Sequence, residues 1–296
     1  MPAFQQQVSF DGRSPIMLPI IQILGLPFLA CILMSSILGF LGTHVLKREV
    51  IFVDIALAQI AAVGSIAAHM VFEAHGDSPT AYLCSFGCVL LAAGFYAFVR
   101  SRVFQISLEA VIGISYAIAA AAVLFLVGIA PGGHMHIQNI LSGSILWINV
   151  RQIIICFIVF AAAGSCFYLI RRPITEISNC YNNGTIKSLR VVFWDFIFYM
   201  LLGIVITLSV QIGGVVVVFA YLIIPATIST VFSARSRLQL TIVWMSAIIA
   251  SLGGLLFAYR FDFSIGPAIA MFLGCELIIA SLIARFCQGT LQLEGR

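Results

Sequence analysis

About nine times along the chain a run of roughly 20 residues passes through almost purely apolar side chains, at 16–41, 50–72, 81–98, 108–130, 153–170, 191–210, 214–232, 240–257 and 264–286. Wound as a helix, such a run matches the ~30 Å hydrocarbon core of a bilayer. In lipid every backbone N–H and C=O must be satisfied internally, which leaves helices or closed barrels. A barrel strand would be about ten residues of alternating polarity, whereas these runs are long and continuous. With 62% hydrophobic and 9% charged residues over 296 positions, a soluble domain with a polar exterior is excluded. The expectation is an all-α polytopic membrane protein of about nine transmembrane helices. It divides into a polar N-terminal segment 1–15, one transmembrane domain 16–286 and a C-terminal tail 287–296.

Cations mark the ends of alternate runs. Lys47 and Arg48 follow the first, Arg100 and Arg102 the third, Arg171, Arg172, Lys187 and Arg190 the fifth, Arg235 and Arg237 the seventh, and Arg285 the last. The intervening connections, around Glu73, His75 and Asp77, around His134 and His136, and around Gln211 and Gly213, lack them. Because Lys and Arg in short loops stay cytoplasmic, the N-terminus is expected outside and the C-terminus inside. Arg13, Arg151 and Arg260 depart from this pattern. The net charge of +4 suits basic loops at an anionic membrane surface and implies no nucleic acid.

Polar residues inside the runs carry the functional information. Asp54 and Gln59 lie in the second run ahead of Gly64. A carboxylate at the centre of an inserted helix costs about 2.5–3.5 kcal/mol, so both residues are expected to face protein, water or substrate. Five residues apart, they diverge by about 140° on a regular helix. Pro225 interrupts the stretch Gly213 to Thr227 and frees a carbonyl near Tyr221. Glu276 sits near the middle of the last run, either lining a path or serving as a hydrogen-bonded packing residue. Asp195 is expected to pair with Arg190 at a helix end.

His134 and His136 can chelate a metal if the chain between them is extended, or they belong to an ordinary polar loop. The connection 171–190 is either a docking surface for a cytoplasmic partner or a solvated loop. The eight cysteines form no CxxC pair, and Cys84 and Cys88 read as small apolar residues one helical turn apart. No GxxxxGK[ST] stretch occurs, so ATP, if used, is hydrolysed by another subunit. No HExxH occurs either, which argues against an intramembrane metal enzyme.

The order of these parts resembles the ABC-3 family of membrane permeases from zinc, manganese and iron uptake systems, with a type II ABC importer-like plan. Lys47-Arg48-Glu49 precedes Ala56-Leu57-Ala58-Gln59 and Gly64. Gly214 through Pro225-Ala226-Thr227 is similar to the family's second motif, Ser264-Ile265-Gly266-Pro267 to its closing turn, and Leu141 to Leu146 to a further segment. Glu176, Cys180 and Gly184 fall at the spacing of its cytoplasmic coupling loop. Where the family's motif helix carries Asp and His four residues apart, this chain has Ile55 and Gln59; the family's proline before Gly64 is Val63.

The resemblance implies a non-enzymatic permease subunit of the bacterial plasma membrane, working as a homodimer in the lipid bilayer. A cytoplasmic ATP-binding subunit would dock at Glu176, Cys180 and Gly184, and an extracytoplasmic metal-binding protein would deliver the cargo. No cofactor is held stably; a divalent metal ion is the transported substrate. The implied pathway residues are Asp54, Gln59, Gly64, Pro225 and Glu276, with His134 and His136 as a receiving site. A secondary transporter using Asp54 and Glu276 as a titrating pair, and an ABC permease for a siderophore or cobalamin, are the alternatives.

Overall fold

The computed structural model describes residues 17–72, 79–102, 106–129, 143, 145–174, 189–233 and 235–293. Among them the regular elements are helical: α1 (Met17–Lys47), α2 (Val53–Phe72), α3 (Pro79–Arg102), α4 (Leu108–Ile129), a short 3-10 turn (Ile145–Trp147), α5 (Val150–Leu169), α6 (Leu189–Phe232), α7 (Ser236–Phe261) and α8 (Ile265–Leu293). Each begins or ends where the sequence supplies a reason. Glu49 at φ 54° stops α1. The N–H of Asn149 donates to Gln152 Oε1 at 3.0 Å at the start of α5. Asp262 closes α7 in the left-handed region, its N–H donating to the carbonyl of Ala258.

Eight of these helices are long and apolar enough to cross a membrane. One of them, Val191–Phe232, has 42 residues, which would extend about 63 Å if straight, twice the hydrocarbon core. It is not straight, because Gly214 has φ 77° and ψ 162°, a conformation open in practice only to glycine. The contacts along α1 show what the break does. Asp195 bonds Arg48, Gly213 lies against Met34, and the carbonyl of Leu222 lies against Gly42. The partner position thus moves from 48, just past the end of α1, to 34 and back to 42, so α6 reverses direction at Gly214. Its two halves run in opposite senses along α1, so the described residues hold about nine lengths of helix that could each span the hydrocarbon core, as the hydropathy pattern implies.

α6 is the hub of the bundle, packing on α1, α2, α3, α5, α7 and α8. Of its apolar stretch 78% is buried, against 22% for α4 and α8. Lipid tails are as apolar as leucine, so helices in a bilayer associate by close packing rather than by hydrophobic exclusion, and glycine at a crossing lets backbones meet. Gly42 touches the α6 backbone and Gly64 the α3 backbone at Cys84 and Ser85. Gly143, at φ 68°, seats against Gly213 and Gly214 at the turn of α6. This non-helical backbone is buried in protein, where membrane depth tolerates it.

Candidate functional site

Asp54 belongs to the first turn of α2, at the same end of the bundle as Lys47 and Arg48. It is 2% exposed, and its Oδ1 accepts the N–H of Ile55 at 2.7 Å. Glu109, from the first turn of α4, accepts the N–H of Phe52 at 3.1 Å through Oε1. Two carboxylates therefore meet the orphan N–H groups and the positive dipole end of α2. The apolar run that contains Asp54 starts before the helix does, and this places Asp54 nearer the bundle end than its position in the run implies.

Gln59 is also buried, 9% exposed. The helix between it and Asp54 has no irregular residue, so the two side chains diverge instead of forming a chelate. Gly64 lies at the α2–α3 crossing, where a Cβ would come within 2.7 Å of Ser85 Cα and 2.8 Å of the Cys84 carbonyl oxygen. Pro225 is buried in the second half of α6. Just before it, the Tyr221 hydroxyl lies 2.5 Å from Ser251 Oγ of α7, and the Leu222 carbonyl faces Gly42.

Glu276 stands on the far side of the hub. Ser246 of α7 donates to its Oε2 at 2.5 Å, while Oε1 is buried with no hydrogen-bond partner among the described residues. The carboxylate borders an apolar groove of about 280 Å³ that opens on the flank of the bundle between Ile228 of α6 and Thr241, Met245 and Ile249 of α7. α2 packs on α3, α4 and α6, whereas α8 packs on α6 and α7. Asp54 and Gln59 are thus not brought together with Glu276. His134, His136, Glu176, Cys180 and Gly184 lie outside the described residues. Among the described residues no group of three or more His, Cys, Asp or Glu side chains is placed to hold a metal ion.

The strongest electrostatic feature was not legible from neighbouring residues. Asp195, expected beside Arg190, instead bonds Arg48 and Arg100, 147 and 95 residues away. Its Oδ1 accepts from Arg48 at 2.8 Å and its Oδ2 from Arg100. Arg48 and Asp195 are 0% and 1% exposed. The Arg48 guanidinium lies 3.8 Å from the centroid of the Phe198 ring, a contact that suits a weakly hydrated, planar cation. The sequence signal was present but indirect, in a lone carboxylate just inside an apolar run with arginines ending two other runs.

The ABC 3 transport family model matches residues 21–284. A Chlamydia muridarum protein described as "Probable metal transport system membrane protein" is 23% identical over 184 residues, covering 60% of this chain. The match spans only 61% of that relative's length. The manganese transport system membrane protein MntC of Halalkalibacterium halodurans is 22% identical over 242 residues, covering 82% of this chain and 80% of that protein. Among solved structures, PsaBC from Streptococcus pneumoniae in complex with Fab superposes with a TM-score of 0.72 at 18% identity, covering 90% of this chain and 95% of that one. The last of these speaks for the fold alone. The family model, which spans nearly all of the described helices, decides the affiliation: this chain belongs to the ABC 3 transport family.

Proposed function

We propose that the chain is the membrane-spanning permease subunit of an ATP-driven importer for a divalent transition metal: zinc, manganese or iron. The observation that carries this reading is the family match across residues 21–284; the manganese transport system protein similar over 82% of the chain supports the substrate class. Residues 16–286 form the permease domain, in the bacterial plasma membrane, with the N-terminus outside and the C-terminus in the cytoplasm. Residues 1–15 and 287–296 flank it.

Two copies would enclose the path, and a separate ATP-binding subunit would dock at Glu176, Cys180 and Gly184. A binding protein would release the metal near His134 and His136 at the opposite end. Asp54, Gln59, Gly64, Pro225 and Glu276 are the pathway candidates. The chain itself does no covalent chemistry; its work is alternating access by movement of helix groups against one another. Asp54 and Glu276 flank α6 on separate helices, which gives no support to a secondary transporter that uses them as one titrating pair.

The test is metal uptake into vesicles carrying the permease with and without its ATPase partner. Uptake of Mn²⁺, Zn²⁺ or Fe²⁺ that requires ATP is the expected result. Uptake driven by a proton or sodium gradient without the ATPase rejects the proposal, and uptake of a metal chelate in place of free ions moves the assignment to the siderophore or cobalamin class.

A further inference from the structure

The end of α5 and the start of α6 meet α1 and α3 in one packed layer. On the α5 side, Phe167 of α5 is buried and makes edge-to-face contact with Phe40 of α1 at 5.4 Å and Phe198 of α6 at 5.8 Å. On the α6 side, Asp195 bonds Arg48 and Arg100, which end or follow α1 and α3. Tyr199 then meets Tyr96 of α3 edge to face at 6.0 Å and Phe198 edge to face at 5.4 Å. Both ends of the connection are therefore held in a single plate of ion pairs and rings shared by α1, α3, α5 and α6.

We infer that Asp195, clamped between Arg48 and Arg100, is the positioning residue that passes movement of the α5–α6 connection into α1 and α3. The inference rests on the ATP-driven reading above. Asp195 touches no cargo in this role. One oxygen is committed to the turn that ends α1 and the other to α3, so a displacement of the start of α6 would move the end of α1 and of α3 with it. Phe198, lying against the Arg48 guanidinium, holds that cation in the one orientation that serves Oδ1.

The experiment uses the assembled permease and ATPase in vesicles and reads metal transported per ATP hydrolysed. Asp195→Asn keeps the shape and removes the charge. The expected result is a complex that assembles and hydrolyses ATP within about twofold of wild type while metal per ATP falls about tenfold, with Asp195→Glu restoring most of the loss. Arg100→Gln, at the partly exposed arginine, leaves the Arg48 pair intact and serves if Asp195→Asn fails to fold; the ratio is expected to fall in the same direction. An unchanged ratio in a folded variant, or a proportional loss of hydrolysis and uptake, overturns the inference. If the wild-type complex moves metal without ATP, the importer reading fails instead, and the two failures are told apart by that arm alone.

Discussion

Placing a methyl group on Gly42 tests the closest helix crossing in the bundle. A Cβ there would lie 1.8 Å from the carbonyl oxygen of Leu222, 2.9 Å from its carbon and 3.3 Å from Ala226 Cβ. The first two atoms are backbone, so no rotamer change relieves the overlap. Restoring a normal carbon–oxygen separation of about 3.3 Å requires α1 and α6 to part by roughly 1.5 Å, and a radial gap of 0.5–1 Å already forfeits a quarter to a half of each dispersion contact. Overpacking of this kind costs about 3 kcal/mol, which corresponds to a drop of roughly 6–12 °C in apparent Tm. Thermal unfolding of Gly42→Ala in detergent, followed by size-exclusion fluorescence, measures it. Gly113→Ala is the control, since a Cβ there meets nothing within 4 Å, and alanine in a helix interior is favoured over glycine by about 1 kcal/mol. If Gly42→Ala melts with Gly113→Ala, the α1–α6 approach is not as the structure has it. The site matters because Pro225 deprives Tyr221 of its intrahelical bond, and the neighbouring Leu222 carbonyl is covered only while Gly42 stays small.

Glu276→Gln keeps the bond from Ser246 possible and removes the charge, so a pathway role predicts about a tenfold loss of uptake at unchanged thermal stability; unchanged uptake assigns Glu276 to packing. Asp54→Ala and Gln59→Ala are expected to lower metal accumulation in cells, with Asp54→Ala also costing about 1 kcal/mol of stability through the lost hydrogen bond from the Ile55 N–H; full accumulation in both removes α2 from the path. Gly184→Trp should leave ATP hydrolysis running while uptake stops, and coupled transport surviving that change would place the ATPase contact elsewhere.

The helices were legible because hydropathy alone forces them, and the division of 191–232 was legible because no single span needs 42 residues. Gly213-Gly214 marked the place, as the only adjacent pair able to supply a glycine-only backbone there. Asp195 was misassigned for a physical reason: ion pairs are chosen by helix packing, and its partners come from the ends of two helices whose adjacency to α6 leaves no local trace. Asp54, fifth in its run, is second in α2, because Val50 to Phe52 precede the helix. An apolar composition does not distinguish a helical residue from the strand of chain leading to it. The Glu276 groove depends on three helices at once, and only the carboxylate itself signalled it.

The two halves of α6 are registered on the same short piece of α1. Asp195, in the first half, holds Arg48, and Leu222, in the second, rests on Gly42. Gly42 lies in the last two turns of α1 and Arg48 in the turn directly after it. Between the two halves stands Gly214, whose φ of 77° only glycine holds cheaply. A displacement arriving at Asp195 therefore has one soft joint available, the turn at Gly214, while the second half stays pinned where a backbone meets a backbone. The glycine crossing cannot slide without a clash, so the second half of α6 stays registered on α1. Under the proposed alternating access, movement of the first half of α6 would carry α3 through Arg100, and the second half, bordering the Glu276 groove through Ile228, would be the wall against which it moves.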